Sequence, residues 1–130
     1  MRLTRCRSPI QGVAPFRAFI QDRVALARKA KAKDGADALK DWGTIDLFYG
    51  CRRSSWDFLY KQEWEAYAKE LDGKFKMHVA LSREENVPKT YVQQLLKEEG
   101  DRIGDALVNK KGYAYIWFVF ASSRSLPELN

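Results

Sequence analysis

The feature that most constrains the fold is a regular alternation of short apolar runs with longer amphipathic stretches. The apolar runs read TIDLFYG (44–50), KFKMHVALS (74–82) and YAYIWFVF (113–120), and such runs are typical of buried strands. Helical patterns at 58–71 and 91–108 separate them. Strands joined through helices favour crossover connections and a parallel sheet. The sequence therefore predicts an α/β fold, a three-layer parallel sheet with flanking helices.

A further helix precedes these strands, and a basic segment precedes that helix. Apolar residues recur at three- and four-residue steps over 14–32, with Pro15 suited to the first turn. Residues 1–11 are basic and lack any period, so we interpret them as a degenerate basic N-terminal segment. The chain thus divides into this segment, a partial domain at 12–120 and a polar tail at 121–130.

Turn and cap signals punctuate the pattern. The polar stretch 29–43 contains two glycines and is interpreted as a surface connection. Asp57 is suited to cap the helix that follows it, and Asp72–Gly73 is expected to form a turn. Residues 110–112 should end the last helix.

Composition excludes some classes of protein and favours others. With 45% hydrophobic residues the chain is globular in composition, and its net charge of +6 favours anionic partners. Those partners are nucleic acid, an acidic protein surface or a phosphorylated small molecule, although an ordinary solvated surface has the same charge. Cys6 and Cys51 are interpreted as free thiols. Neither a membrane span nor a secretory signal is recognised.

Cations and hydroxyls cluster where two of the predicted strands end. Cys51 and Arg52 follow the first strand, and Ser82 and Arg83 end the second. Carboxyl ends of parallel strands meet at one edge of a sheet, where ligands bind. Arginine forks, lysine and hydroxyl groups all suit phosphate oxygens. These residues, together with Lys89 and Tyr91, therefore predict a pocket for a phosphate monoester. The alternative is that the side chains are merely solvated.

Searches for other chemistry give little. The single histidine, His78, lies inside a strand pattern and is interpreted as structural. No metal-ligand cluster, no Ser/His/Asp set and no GxGxxG motif is visible, so neither a metal site nor a catalytic residue is predicted. The acidic pairs 84–85 and 98–99 are interpreted as exposed faces. The tryptophans are assigned to packing, with stacking on a base as the alternative.

Three long blocks give the sequence a specific resemblance. GVAPFRAFIQDRV (12–24), LFYGCRRSSWDFLYKQEWEAYAKELDG (47–73) and ALSREENVPKTYVQQLL (80–96) resemble the NADPH-binding domain of fungal NADPH–cytochrome P-450 reductases. These are diflavin reductases with a ferredoxin-NADP reductase module. The resemblance runs over about 12–116 and implies a Rossmann-like NADP-binding domain, here incomplete and with its first, central strand degenerate.

The resemblance also implies roles for particular residues. A Ser-Arg pair and a Lys-x-Tyr-x-Gln run would hold the adenosine 2′-phosphate of NADPH, and a Cys-Arg pair would contact the cofactor near its adenosine and pyrophosphate. A glycine before the first helix would lie by the pyrophosphate. The corresponding positions of this chain are Ser82, Arg83, Lys89, Tyr91, Gln93, Cys51, Arg52 and Gly12.

Two departures from the family pattern reduce what the chain is expected to do. Ile10 and Gln11 stand in a loop that is otherwise glycine-rich, which should weaken pyrophosphate binding. Trp117 stands where the family has a cysteine that assists hydride transfer, and no acid follows it. We expect a truncated or mis-spliced product without a catalytic residue.

The resulting hypothesis is the NADPH-binding part of an oxidoreductase, weak or inactive by itself. The family implies FAD, FMN and haem-protein partners such as cytochrome P-450 for the full-length enzyme at the cytosolic face of the endoplasmic reticulum membrane. The 130 residues alone are expected to bind neither flavin, to contact no nucleic acid and to be cytoplasmic. The alternative is a non-catalytic basic module that binds nucleic acid or an acidic protein; a poorly folded product is a third option.

Overall fold

The centre of the fold is a parallel sheet. The computed structural model of the chain describes residues 5–6 and 12–116. Three strands lie in the order β1 (Arg5–Cys6), β2 (Ile45–Cys51) and β3 (Phe75–Leu81). β2 and β3 pair in parallel along their whole length, from Ile45 opposite Phe75 to Cys51 opposite Leu81, and β1 pairs with β2 through two residues. The predicted parallel arrangement is confirmed.

The helices follow the predicted order. α1 spans Ala14–Asp34, and a short 3₁₀ turn at Ala36–Leu39 leads from it towards β2. α2 (Lys61–Glu70) connects β2 to β3, while α3 (Val92–Glu98) and α4 (Gly100–Val108) follow β3. α1 therefore confirms the helix predicted at 14–32 and extends slightly beyond it.

Side chains of β2 alternate between the two faces of the sheet, as the period of a strand requires. Leu47 and Tyr49 lie on the face that packs against α1 and α2, together with Ile20, Val24 and Trp64. This cluster contains most of the buried hydrophobic residues. It anchors the helices that precede and follow β2.

The opposite face of the sheet carries a second, smaller core. Phe48 and Ala80 are fully buried there against Val92 of α3 and Ile103 of α4. Helices thus cover both faces of the sheet, which confirms the three-layer prediction.

Polar pairs join α1 to α2 along their exposed sides. They comprise three ion pairs and one hydrogen bond, namely Arg17–Glu63, Arg28–Glu70, Lys31–Asp72 and Gln21–Tyr67. Exposed ion pairs add little to stability individually. Repeated along two helices, they fix how far one helix is shifted relative to the other. Asp72 also begins the predicted turn, since it and Gly73 have φ of 49° and 74°.

The single helix predicted over 91–108 is wrong, because the structure divides it at Glu99. Glu99 has φ −92° and ψ 10°, outside the helical range, and Gly100, a poor helix former, follows. The carboxylate of Glu99 accepts a 2.6 Å bond from the Arg102 guanidinium. The break directs α4 so that Arg102 also reaches the sheet.

The cap predicted at Asp57 is also wrong. α2 begins later, at Lys61, and the residue before it, Tyr60, has a left-handed backbone with φ of 59° and no side-chain cap. Asp57 instead accepts bonds from the backbone N–H groups of Arg52 and Arg53. Its carboxylate therefore belongs to the loop after β2 rather than to the helix.

The strand predicted at 113–120 is not present in its described half. Residues 113–116 form no strand, and residues 117–120 lie outside the described part of the chain. The divisions predicted at 11/12 and 120/121 stay predictions, because the residues around them are not described.

Candidate functional site

Backbone bonds join the loops that follow β2 and β3. Ser82 donates its N–H to the Cys51 carbonyl at 3.1 Å, and Arg83 donates to the Arg52 carbonyl at 2.9 Å. The parallel pairing thus continues one step past the strand ends. The two predicted halves of the site are brought together at the same edge of the sheet.

The segment that leads into α3 lies beside the same strand end. Thr90 donates its N–H to the carbonyl of Leu81, the last residue of β3, at 2.9 Å. Lys89 places its ammonium 5.2 Å from the centre of the Tyr91 ring, and half of Tyr91 is exposed. Gln93 is exposed in the first turn of α3. The backbone therefore brings Lys89 and Tyr91 close to Ser82.

The cations of this edge are exposed. Arg52, Arg83 and Lys89 all face solvent, and Ser82 is half-buried with its hydroxyl 3.4 Å from the Cys51 carbonyl. In residues 12–116 the guanidinium groups of Arg52 and Arg83 have no carboxylate partner. Both forks are therefore available to an anion from solution.

Two carboxylates support the loop after β2, and sequence reasoning missed both. Asp57 accepts the N–H groups of Arg52 and Arg53 at 3.0 and 3.1 Å, and Glu84 accepts that of Ser54 at 2.6 Å. The interpretation of Glu84 as an exposed face is wrong, since it is half-buried by this contact. An aspartate a few residues after a strand end is a signal for such a turn, but nothing local marks Glu84.

Arg53 is held differently from its neighbour Arg52. Its guanidinium lies 4.9 Å from the centre of the Trp56 ring and 3.4 Å from the Glu85 carboxylate. Trp56 is 75% exposed, so its burial supports neither the predicted packing nor the alternative of stacking on a base. Arg53 is thus engaged within the protein, while Arg52 is not.

Cys51 presents its backbone, not its thiol, to the site. The residue is 5% exposed and packs in the larger core. Burial, with a smaller contribution from the charges of Asp57 and Glu84, raises the pKa of the Cys51 thiol to about 12. The thiol is therefore protonated and enclosed at neutral pH, and Cys51 reaches the loop only through its carbonyl oxygen.

Gly12 lies at the start of α1. It is buried, as is the next residue, Val13, which occupies the N-cap position without a side-chain cap. β1 precedes α1 in the chain and runs parallel to β2, and the helix that follows a parallel strand begins at its carboxyl edge, which is here the edge of the basic loops. The predicted departures at Ile10, Gln11 and Trp117 lie outside the described residues.

A separate charged cluster lies at the opposite end of β2. Asp46 is fully buried and accepts bonds from Arg102 at 2.8 and 3.1 Å and from His78 at 2.9 Å. Burial raises the pKa of Asp46, but the bonds from Arg102 and His78 outweigh it and leave the pKa below its ordinary value. The His78 ring also stacks on Phe48 at 4.3 Å. This arrangement supports the structural interpretation of His78.

The described residues contain neither a metal site nor a membrane-spanning helix. No group of three or more His, Cys, Asp or Glu side chains in them could hold a metal ion. Likewise, none of the described helices is both long and apolar enough to cross a membrane.

Known proteins match most of the chain. The family model for the oxidoreductase NAD-binding domain matches residues 11–116. NADPH–cytochrome P-450 reductase of Phanerodontia chrysosporium is 56% identical over 112 residues, 83% of this chain and 15% of the relative. The enzymes of that name from Aspergillus fumigatus and Saccharomyces cerevisiae are 46% and 44% identical over 78% and 83% of the chain.

These relatives are much longer than this chain, which spans 13% of the Aspergillus fumigatus protein and 15% of the other two. The match with the family model nevertheless covers both strands of the main pair, all four helices and the two basic loops. The chain therefore belongs to the oxidoreductase NAD-binding domain family.

Proposed function

We propose that the chain is the NADPH-binding part of a reductase, and that its two basic loops take the 2′-phosphate of the cofactor. The residues proposed for this contact are Arg52, Ser82, Arg83, Lys89, Tyr91 and Gln93. Cys51 would contribute indirectly, because its carbonyl oxygen holds Ser82 in place, and Gly12 would lie near the pyrophosphate. The names of the fungal relatives support NADPH as the dinucleotide.

One observation carries this proposal. The bonds from Ser82 and Arg83 to Cys51 and Arg52 hold two exposed guanidinium groups on joined loops, and no carboxylate among residues 12–116 competes for either. A phosphate dianion binds more strongly to paired guanidinium forks than to single solvated cations. The 2′-phosphate distinguishes NADPH from NADH, so this edge would set cofactor choice.

For the full-length protein we propose electron transfer from NADPH through FAD and FMN to a haem protein such as cytochrome P-450, at the cytosolic face of the endoplasmic reticulum membrane. The relatives carry that haem protein in their names. The 130 residues hold the nucleotide-binding region alone, so the purified chain should not reduce cytochrome c with NADPH. Detectable reduction would contradict this part of the proposal.

A binding comparison tests the cofactor site directly. The affinity of the 130-residue chain for 2′-phospho-AMP is measured against that for AMP, by calorimetry or by the rise in melting temperature. The chain should prefer the phosphorylated ligand, and Arg83→Ala should reduce that preference about tenfold or more, as for loss of a charge-assisted bond. Arg28→Ala is the matched control, because it removes an arginine from the exposed side of α1.

Equal affinities for the two ligands in the unaltered chain would overturn the 2′-phosphate site. The alternative of a basic module for nucleic acid predicts this indifference together with a steep salt dependence of DNA or RNA binding. The Arg28→Ala variant should then weaken nucleic-acid binding about as much as Arg83→Ala does, because non-specific binding counts charges rather than positions.

A further inference from the structure

Three consecutive backbone N–H groups after β2 all point to carboxylates of the same protein. Those of Arg52 and Arg53 donate to the two oxygens of Asp57, and that of Ser54 donates to Glu84. Successive N–H groups in a turn commonly form an anion-binding concavity. Here its ligands are internal, so the loop offers its side chains, rather than its backbone, to a phosphate.

Of these contacts, the one from Glu84 crosses between the two loops. Glu84 directly follows Ser82 and Arg83, whose N–H groups bond to the loop after β2. Its carboxylate then reaches the N–H of Ser54 at 2.6 Å, across 30 positions of sequence. Three successive residues after β3 are thus fastened to the loop after β2, two by their backbone and the third by its side chain.

We propose that Glu84 is a positioning residue for 2′-phosphate selectivity, which fastens the Arg83 loop to the Arg52 loop so that both guanidinium groups can bind one phosphate. This inference rests on the proposed function. Arg83 lies between the backbone bond that it makes itself and the side-chain bond of Glu84. Without the bond from Glu84, the segment after Arg83 would be joined to the Arg52 loop by the exposed Arg53–Glu85 ion pair, and Arg83 would spend more time away from Arg52.

The charge of Glu84 suggests an opposite role that must be separated from this one. A carboxylate beside a phosphate pocket repels the ligand, so its removal should tighten binding if charge alone mattered. The bond from Ser54 holds the pKa of Glu84 below its ordinary value, so the carboxylate is ionised at neutral pH. Ser54 and the cations Arg53 and Lys61 offset that charge.

Glu85 provides a matched control for charge. It is the next residue in the same loop, its side chain is 77% exposed, and it approaches Arg53 at 3.4 Å without a hydrogen bond to the backbone of the described loops. Glu84→Ala and Glu85→Ala remove the same charge from nearly the same place. Both contacts cross between the loops, but only that of Glu84 is a hydrogen bond to the loop backbone, whereas Glu85 contacts the exposed side chain of Arg53 in a weak ion pair.

The experiment measures the ratio of the AMP and 2′-phospho-AMP dissociation constants for the unaltered 130-residue chain and three variants. Glu84→Ala should lower the ratio about fivefold, as expected for partial loss of a charge-assisted contact. Glu84→Gln keeps an oxygen that can accept from Ser54, so it should stay within about twofold of the unaltered chain. Glu85→Ala should leave the ratio unchanged or raise it slightly.

Thermal melting shows whether each variant folds, and the amide signal of Ser54 in the unaltered chain is a readout that needs no variant. In the unaltered chain the Ser54 amide proton should shift as Glu84 titrates, with a midpoint below the ordinary 4.5 of a glutamate. A Ser54 amide that does not respond to this titration would overturn the inference even if Glu84→Ala fails to fold.

The outcomes separate the two proposals. If the unaltered chain does not distinguish 2′-phospho-AMP from AMP, the 2′-phosphate site fails and the role of Glu84 fails with it. If the unaltered chain does distinguish them, but Glu84→Ala matches Glu85→Ala or tightens binding, only the positioning role is overturned. A lower ratio in Glu84→Ala alone, with the melting temperature maintained, supports it.

Discussion

The charged side chains at the two ends of the β2–β3 strand pair differ in burial and in pairing. At the amino end, Asp46 is fully buried and bonded to Arg102 and His78. At the carboxyl end, about 16 Å further along β2 by the rise of a strand, Arg52 and Arg83 are exposed. No carboxylate in residues 12–116 pairs with either guanidinium.

Burial explains the difference. A charge removed from water costs several kcal/mol unless it is paired and hydrogen-bonded, so the amino end must hold its charges in internal bonds. An exposed guanidinium stays hydrated, so leaving it without a protein partner costs little folding free energy. Charge at the amino end therefore stabilises the sheet, and charge at the carboxyl end is left for the proposed ligand, so substitutions should separate stability from binding.

The largest effect on stability is expected from Asp46→Ala. The change leaves the Arg102 guanidinium and the His78 ring without their buried partner. The free energy of unfolding should fall by about 3 kcal/mol, the low end for a broken buried pair, because Arg102 keeps 39% of its side chain exposed. Urea unfolding measures the loss, and the preference for 2′-phospho-AMP should survive wherever the variant stays folded.

Lys76→Ala is the control for that prediction. Lys76 lies opposite Asp46 in the β2–β3 register but is exposed. Its removal should change the free energy of unfolding by less than about 0.5 kcal/mol. Equal losses in the two variants would mean that the buried carboxylate has no special role at the amino end.

Acid should weaken the amino end next. The folded-state pKa of Asp46 lies below its ordinary 3.8, so its stabilising contribution is complete above that value and is lost as the pH falls through the lower folded pKa. Glu99, which contacts Arg102, also has a lowered pKa and adds to the acid loss. The unfolding free energy, measured by urea from about pH 5 to about pH 3, should fall less steeply in Asp46→Ala than in the unaltered chain.

An equal slope in the two proteins would assign the acid loss to exposed carboxylates such as Glu63 and Glu70, whose pKa values are lowered by Arg17 and Arg28. The stability of the amino end would then not depend on the ionisation of Asp46.

Much of the fold follows from local patterns in the sequence. The apolar run at 44–50 alternates between two covered faces, and only a parallel sheet buries both faces of a strand this way. The break at Glu99 was missed although Gly100 is a local signal for it; what no local pattern reveals is that Arg102 then reaches Asp46 across 56 positions of sequence. The strand predicted at 113–120 is wrong over 113–116, because an apolar pattern does not reveal whether a neighbouring strand is there to pair with it.

The candidate site, like the fold, could be predicted only in part from the sequence. Residue types and the strand ends that they follow place Arg52, Ser82 and Arg83 at one edge, and the structure brings them there. The supporting carboxylates Asp57 and Glu84 escape sequence reasoning, since their partners are backbone N–H groups, which every residue carries. Cys51 was expected to contact the cofactor, yet burial encloses its thiol and leaves only its backbone for that contact.

A smaller effect on stability is expected from Asp57→Ala, which tests whether the carboxyl end is ordered before a ligand arrives. Two backbone N–H groups, of Arg52 and Arg53, lose their acceptor, but both lie close enough to solvent to bond to water instead. The free energy of unfolding should fall by about 1 kcal/mol. The preference for 2′-phospho-AMP should fall together with the stability. The Asp57→Asn variant keeps one acceptor, so both its quantities should lie between those of the unaltered chain and those of Asp57→Ala.

A loss of stability without any loss of preference would mean that the position of Arg52 does not depend on its own turn. The carboxyl end would then resemble the amino end, with a bond that serves folding only.

The smallest effect on stability is expected from Arg52→Ala, although its effect on binding should be large. The guanidinium is exposed and bonded to no carboxylate in the described part of the chain, so unfolding should change by less than about 0.5 kcal/mol. Affinity for 2′-phospho-AMP should fall about tenfold, because a charge-assisted bond to the ligand is lost. Calorimetry and urea unfolding of the same preparation measure both quantities.

Arg53→Ala is the matched control, because Arg53 is adjacent to Arg52 and carries the same charge but contacts Trp56 and Glu85 instead. Its loss should weaken binding much less than the loss of Arg52, since its guanidinium already has partners within the protein. If both variants weaken binding equally, the affinity depends on the net charge of the loop and not on hydrogen bonds from the Arg52 guanidinium. The carboxyl end would then differ from the amino end only in exposure, without a site built for one phosphate.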